Sequence, residues 1–262
     1  MESALAEIEF LALSPNRVET LRLLADGPHT RRELVATTGA SQPTLGRILG
    51  DFEERSWVVR DGSEYRATAT GKLVAAGFDD LLSIVDTEER LRPVVRWLPT
   101  DAITFDLRHL ADATITTPSQ VRPNAPVKRA LDLLRDADEV RIFSYAFNEQ
   151  SLDVVADRTA AGDQRFEGVF SASAIDALAD DSRLRRQLRE LLAADRASVR
   201  ITDEEIPLAV TVADSVVHLF LRDDRGLLQA SLDVADPAVS DWADGLFSQY
   251  WETATPLDVE QL

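Results

Sequence analysis

The sequence predicts an α/β protein in two parts, an N-terminal winged helix-turn-helix and a C-terminal α/β domain. Three observations predict it. Three short amphipathic segments lead into a two-stranded hairpin within the first 70 residues. A long helical stretch follows. Beyond residue 126, strand and helix patterns alternate and end in a meander.

The elements follow in order. Pro15 to Ala25 carries Val18, Leu21, Leu24 and Ala25 at helical spacing, and Gly27-Pro28 stops that helix. Thr30 caps a second helix, Arg31 to Thr37, with Leu34 and Val35 inward. Thr38-Gly39-Ala40 turns the chain. Ser41 caps a third helix whose apolar face is Leu45, Ile48, Leu49 and Phe52. Trp57-Val58-Val59 and Tyr65 to Thr68 form a hairpin over Asp61-Gly62. Helices followed by a hairpin in this order match a winged DNA-binding domain.

The third helix then carries the chemistry. Gln42, Thr44, Arg47 and Asp51 lie off its core face. Gln and Arg pair bidentately with adenine and guanine edges in the major groove. Ser41 at the helix start offers a hydroxyl and free amides to a phosphate. Arg31, and Arg60, Ser63 and Arg66 around the hairpin tip, complete the candidate interface with double-stranded DNA. The alternative is a protein-binding trihelix with solvated Arg and Gln.

Composition opposes phosphate at first sight. The chain has 262 residues and a net charge of −18. Residues 1–68 hold 8 Arg against 11 Asp and Glu, so most of the negative charge lies beyond them. Arg outnumbers Lys 26 to 2, the two being Lys72 and Lys128. An acid-rich, Lys-poor chain resembles proteins of salt-in halophiles, in which salt screens the repulsion. There is no cysteine, which excludes disulfides, thiolate metal sites and a cysteine nucleophile. No apolar run reaches 18 residues and no basic leader opens the chain, so a cytoplasmic location is expected.

From Thr70, Val74, Phe78, Leu81, Leu82 and Val85 mark a long helix. Asp86-Thr87 reads as a break or cap before a continuation through Leu91, Val94, Val95 and Leu98 to Pro99. Such a helix connects domains, dimerises them or simply packs on its own domain. The expected division is therefore 1–69 winged helix, 70–99 linker or dimerisation helices, and 100–262 regulatory domain. A short helix over Ile103 to Leu110, a strand over Ala113 to Thr117 and a proline-punctuated loop open the last part.

Beyond Pro126, helices are expected over Val127–Arg135, Ser151–Ala161 and from Ser173, as a cap, to about Asp195. Strands are expected over Val140–Phe147, Phe166–Phe170, Val199–Thr202, Leu208–Val212, Val216–Leu221 and Leu227–Leu232. A last helix follows Asp236-Pro237. Pockets in such sheets lie beyond the carboxyl ends of parallel strands. That places Ser144, Asn148, Ser171 and Ser173 at a small-molecule site, with Arg141 or Arg222 for an anionic effector.

Three stretches carry a family resemblance. They are Glu204 to Asp214, Leu219 to Gly226, and Asp236-Pro237 with Trp242-Ala243, Phe247 and Tyr250-Trp251. Leu107 to Ala113 and Ala125 to Arg129 fit the same pattern. The chain resembles haloarchaeal winged-helix regulators with a methanogenesis-regulator (FilR-type) domain, similar in layout to TrmB-like regulators. The resemblance implies a homodimeric transcription regulator. It also implies an effector domain related to the phospholipase D fold.

That relation raises an enzyme reading, which the sequence opposes. Phospholipase D chemistry needs a His nucleophile followed two residues later by Lys. Here Arg31 follows His29, Ala111 follows His109 and Phe220 follows His218 at that spacing. His218 reads as a hydrogen-bonded structural residue sharing a strand face with Phe220. Glycine-rich phosphate loops are absent, and Asp180-Asp181 and Asp223-Asp224 read as solvated turns rather than metal ligands. No catalytic residue, metal or cofactor is expected. Two readings stay open beside a ligand-responsive regulator: a constitutive architectural DNA-binding protein with a dimerisation-only C-terminal domain, and a degenerate phosphodiesterase-like enzyme.

Overall fold

The computed structural model describes residues 1–258 and divides into two compact units, Met1–Asp86 and Thr87–Leu262.

In the first unit, α1 (Glu2–Ala12) and α2 (Pro15–Asp26) precede the short strand β1 (His29–Thr30). Pro15 sits in the first turn of α2, where a missing N–H costs nothing. Helix α3 (Arg31–Thr38) opens on a reciprocal capping box. Thr30 Oγ1 accepts from Glu33 N–H, and the Glu33 carboxylate accepts from Thr30 N–H at 2.7 Å. The Thr30 N–H and hydroxyl both donate to the Glu33 carboxyl and hold it below its usual value. Helix α4 (Gln42–Glu54) buries Leu45, Ile48, Leu49 and Phe52, the face the spacing predicts. Strands β2 (Val58–Asp61) and β3 (Glu64–Ala67) form the wing, and β1 pairs with β3 to make a three-stranded sheet.

The sequence reading lacks α1 and β1. Helix α1 places Phe10 edge-on against Phe52 and Trp57, at 6.1 Å from each ring. The Arg17 and Arg55 guanidinium groups cover the Phe10 ring at 4.0 and 3.8 Å. This cluster fixes the back of α4.

Helix α5 (Ala69–Leu91) runs unbroken through Asp86-Thr87, and Thr87 is buried rather than capping a new helix. It ends at Leu91 because Pro93 lacks an N–H and disfavours helical backbone at Arg92. Only a 3-10 turn, Val95–Trp97, remains of the expected continuation to Pro99. Ala75 and Phe78 belong to the core of the first unit, and Leu91, Val94 and Leu98 to a core of the second.

The second unit is one eight-stranded sheet with helices on both faces. Its elements are β4 (Thr114–Thr116), α6 (Ala125–Asp136), β5 (Glu139–Ser144), α7 (Glu149–Ala160), β6 (Arg165–Ser171), α8 (Ala172–Asp180), α9 (Ser182–Leu192) and β7 (Ala197–Thr202). β8 (Ala209–Ala213), β9 (Val216–Arg222), β10 (Leu228–Val234), α10 (Pro237–Thr253) and β11 (Thr255–Pro256) complete it. The strand order is β11-β7-β6-β5-β8-β9-β10-β4. β5, β6 and β7 are parallel, and the other pairs are antiparallel.

Strand alternation sorts the two faces. Val140, Ile142, Phe166, Phe170 and Val199 pack against α7, α8 and α9. Phe143, Val169, Val210, Val212, Leu219 and Leu232 pack against Val239, Ala243, Phe247 and Tyr250 of α10. Two local expectations change. Residues 103–110 hold only a 3-10 turn, Leu107–Leu110, capped by Asp106. Ser171, not Ser173, caps α8.

The −18 charge has a measurable consequence. Crowded carboxylates repel one another until salt screens them, with a Debye length near 10 Å at 0.1 M and ~3 Å at 1 M. Thermal melts are expected to rise as KCl goes from 0.1 M to molar. A flat melting temperature across that range defeats the halophile reading.

Candidate nucleic-acid interface and ligand pocket

Helix α4 and its cap carry four of the eight residues expected to touch DNA. Ser41, Gln42 and Arg47 are exposed and Thr44 is half-buried. Ser41 Oγ accepts from Thr44 N–H at 3.3 Å and bonds Thr44 Oγ1 at 2.8 Å. Pro43 has no N–H. The free-amide phosphate site expected at Ser41 is therefore largely spent on the cap, with the Gln42 N–H left to offer.

Arg31 reaches across from α3. Its Nη2 donates to the Gln42 carbonyl at 2.7 Å. Gly46 makes room for it, since a Cβ there would lie 2.2 Å from that nitrogen. Arg31 thus adds charge beside α4 while bracing its first turn.

The wing divides its arginines. Arg60 pairs with Tyr65 and Val59 with Arg66 across β2 and β3, so Arg60 and Arg66 leave opposite faces of the hairpin. Arg60 Nε donates to the Gly62 carbonyl at 2.9 Å, and its guanidinium sits 5.6 Å from the Tyr65 centroid. Arg66 is exposed, as is Ser63 in the turn. Asp61 and Glu64 flank that turn, so the tip is not uniformly basic.

In the second unit, a cavity of about 640 Å³ opens past the carboxyl ends of the parallel strands. Tyr145, Ser171, Ser173, Phe220 and Arg222 line it, with Arg96 and Trp97 on another wall. A smaller cavity of about 120 Å³ includes Ser144, Asn148, Ser151 and Thr211. Phe220 and Arg222 line both.

The side-chain chemistry departs from expectation in three ways. First, Arg141 is at neither cavity. It shares the Phe143 face of β5, pairs with Asp244 at 2.7 Å and lies 5.8 Å from the Phe247 ring centroid. Strand parity sends it to the α10 side. Second, two polar groups are already engaged. Ser144 Oγ donates to the Ala146 carbonyl at 2.5 Å, and Asn148 Oδ1 caps α7 through Ser151 N–H at 2.8 Å. Third, the large cavity is rich in carboxylates. Asp203, Glu204, Glu205, Asp223 and Asp224 face two arginines, so the lining does not favour the anionic effector expected.

Arg222 is the central polar group. Its Nη1 donates to the Gly226 carbonyl at 2.8 Å, and its buried Nε has no acceptor among the described residues. Burial pushes the nearby Tyr145 phenol up, against the opposing charge of Arg222. Tyr250 holds one lip of the cavity by donating to the Glu205 carbonyl at 2.9 Å, while its ring stacks on Phe143. Burial pushes its phenol up, and Glu204 and Glu205 add to the rise.

His218 is fully buried. It is hydrogen-bonded through Nδ1 to Asp233 Oδ1 at 2.6 Å, and Arg129 Nε donates to Asp233 Oδ2 at 2.5 Å. Its ring meets Phe220 edge-on at 4.6 Å, so the two share a strand face. The sequence offered no partner for His218; Asp233 is brought opposite by the β9–β10 register and Arg129 by α6. Among the described residues, no group of three or more His, Cys, Asp or Glu side chains is arranged to hold a metal ion. No helix among them is long and apolar enough to cross a membrane.

Comparison with known proteins gives two family matches. Residues 5–90 match the HVO_A0261 N-terminal domain, and residues 123–253 match the middle domain of methanogenesis regulatory protein FilR1. No curated protein matches the chain. Among solved structures, it is similar to TrmBL2, an archaeal chromatin protein whose structure is described as showing a novel mode of DNA binding. That pair has 16% identity and a TM-score of 0.44, covering 95% of this chain and 98% of the other. It is similar to Nuc from Salmonella typhimurium, a phospholipase D family member, at 12% identity and a TM-score of 0.43, over 55% of this chain and 98% of that one. It is also similar to quinone-bound YodB from B. subtilis, at 24% identity and a TM-score of 0.30, over 32% and 97%. The second family match spans half of the sequence, and the chain belongs to the family of the methanogenesis regulatory protein FilR1 middle domain.

Proposed function

We propose that this protein is a DNA-binding transcription regulator that reads a duplex through α4 and answers to a small molecule bound in its second unit. The observation that carries the reading is the two-sided α4. Leu45, Ile48, Leu49 and Phe52 lock one side into the core, while Gln42 and Arg47 stand exposed on the other. Arg31 and the wing residues Arg60, Ser63 and Arg66 supply phosphate contacts at its flanks. The family's regulatory description supports the same role.

Dimerisation fits α5. Leu73, Leu81, Ile84 and Val85 are exposed apolar residues along it, an unusual display on so acidic a chain. A second copy covering that stripe puts two winged units on two half-sites. The effector site is the carboxylate-rich cavity, whose lining suits a cationic or zwitterionic ligand held by carboxylates and the Tyr145 and Ser173 hydroxyls. Coupling between ligand and DNA is then reciprocal: a ligand that weakens operator binding is itself bound less well by the DNA complex.

Operator binding by Arg47→Ala tests the DNA reading. A bidentate base contact is worth about 1–3 kcal/mol, so affinity falls roughly 5- to 150-fold and preference relaxes at one base position. Equal affinity for the mapped site removes Arg47 from recognition. Operator affinity that ignores a whole-metabolite extract removes the effector reading and leaves a constitutive DNA-binding protein.

A further inference from the structure

A third cavity, of about 600 Å³, opens between edge strand β4 and the start of α6. Its charge is opposite to that of the effector cavity. Arg122, Lys128 and Arg129 line it against one carboxylate, Asp132. This gathering stands out in a chain of net charge −18 with two lysines. Asp132 is partly committed elsewhere, to Arg135 at 3.1 Å. Arg122 and Lys128 have no ion-pair partner among the described residues. Arg129 spends its Nε on Asp233 at 2.5 Å, and its two terminal nitrogens have no protein acceptor among those residues.

The backbone adds to the field. The cavity sits at the N-terminus of α6, a 12-residue helix whose N-cap residue, Asn124, makes no side-chain cap bond. That end carries the positive pole of the helix. Three cations, a helix start and the hydroxyls of Thr116 and Thr117 surround a space within the usual range for a small ligand.

We propose that this cavity is a binding site for a small phosphorylated metabolite, with the phosphate held by Lys128, Arg122 and the free end of Arg129. A phosphate dianion matches both a point-charge lysine and a planar arginine fork. The volume beyond the cations accommodates an organic group the size of a glycerol or a sugar. Arg129 ties the site to the interior, because it also holds Asp233 and, through it, His218.

The test is calorimetric titration of the full chain at fixed KCl with inorganic phosphate, glycerol 3-phosphate and malonate. Saturable binding of glycerol 3-phosphate, tighter than that of malonate, is expected. Lys128→Ala weakens it at least about tenfold, the value of one lost charge-assisted contact. Arg122→Ala weakens it in the same direction, and Asp132→Asn tightens it. Lys72→Ala, which removes the other lysine in the first unit, leaves it unchanged. Absence of saturable phosphate binding overturns the proposal, as does equal affinity of Lys128→Ala and wild type. Malonate binding as tightly as glycerol 3-phosphate overturns the phosphate assignment.

Discussion

Asp233→Ala is expected to destabilise the second unit by about 3–5 kcal/mol, the range for breaking one side of a buried charged pair. Asp233 is 7% exposed and receives hydrogen bonds from His218 and Arg129. Without it, His218 keeps no acceptor for Nδ1, and its Nε2 already lacks a partner among the described residues. Losing the bond leaves a donor on a side chain with 0% exposure, which carries the desolvation penalty of an unmet buried hydrogen bond. Asp233→Asn retains one acceptor oxygen and is expected to lose less. Urea unfolding of the three proteins at neutral pH checks the order.

The pH dependence has a definite sign. Burial pushes the Asp233 carboxyl up, but the hydrogen bonds and charges of His218 and Arg129 outweigh it and hold the group below the ordinary carboxylate value. A depressed carboxyl contributes stability above its unfolded value, near 4, and loses it as pH falls through the folded one. The gap between wild type and Asp233→Ala therefore narrows in acid. A gap that stays constant from pH 7 to pH 3 means that the carboxylate charge is not what stabilises the cluster.

How much of this was legible depends on how local the signal was. The α4 face and its Ser41 cap lie within a dozen residues, and both are where the spacing predicted. Helix α1 escapes a sequence reading because the apolar residues in and after it do not make one stripe. Phe10 and Leu11 pack inward while Leu5, Ile8 and Leu13 stay exposed. Strands β1 and β11 are two residues long, too short for any period. Asp86-Thr87 has the composition of a cap, yet Thr87 is buried in an unbroken helix.

The sites repeat the lesson at longer range. The carboxyl ends of β5 and β6 were the right place to look for a cavity, and Ser171, Ser173 and Arg222 line it. Arg141 was chosen for its charge, but it lies inside β5, short of the strand's carboxyl end, and is paired with Asp244. The carboxylates of the cavity come from loops after β7 and β9, strands separated in the sheet by β6, β5 and β8. Asp223-Asp224 alone reads as a solvated turn. Only the sheet order makes the loops one wall, and no sequence window contains that order.

Gly71→Ala is expected to cost the first unit about 2 kcal/mol and to weaken DNA binding, although alanine is the better helix former. Two effects compete. Replacing a helix glycine with alanine gains roughly 1 kcal/mol where space is open. At Gly71 it is not: an added Cβ would lie 2.0 Å from the Trp57 carbonyl oxygen and 2.8 Å from its carbon. That oxygen cannot turn away. It accepts from Thr68 N–H at 2.8 Å and lies 3.2 Å from the Thr68 hydroxyl, which in turn accepts from Gly71 N–H at 3.1 Å. Overpacking against a fixed neighbour costs about 1–3 kcal/mol, occasionally more, and here the whole chain segment must shift. Trp57 leads directly into β2, so the shift reaches the wing. Gly50→Ala is the control with the opposite sign. Gly50 lies inside α4 with nothing within 4 Å of an added Cβ, so stability rises by up to about 1 kcal/mol. Chemical denaturation of both variants, with operator titration of Gly71→Ala, distinguishes the two environments. Two variants of equal stability contradict the close approach of α5 to the base of the wing.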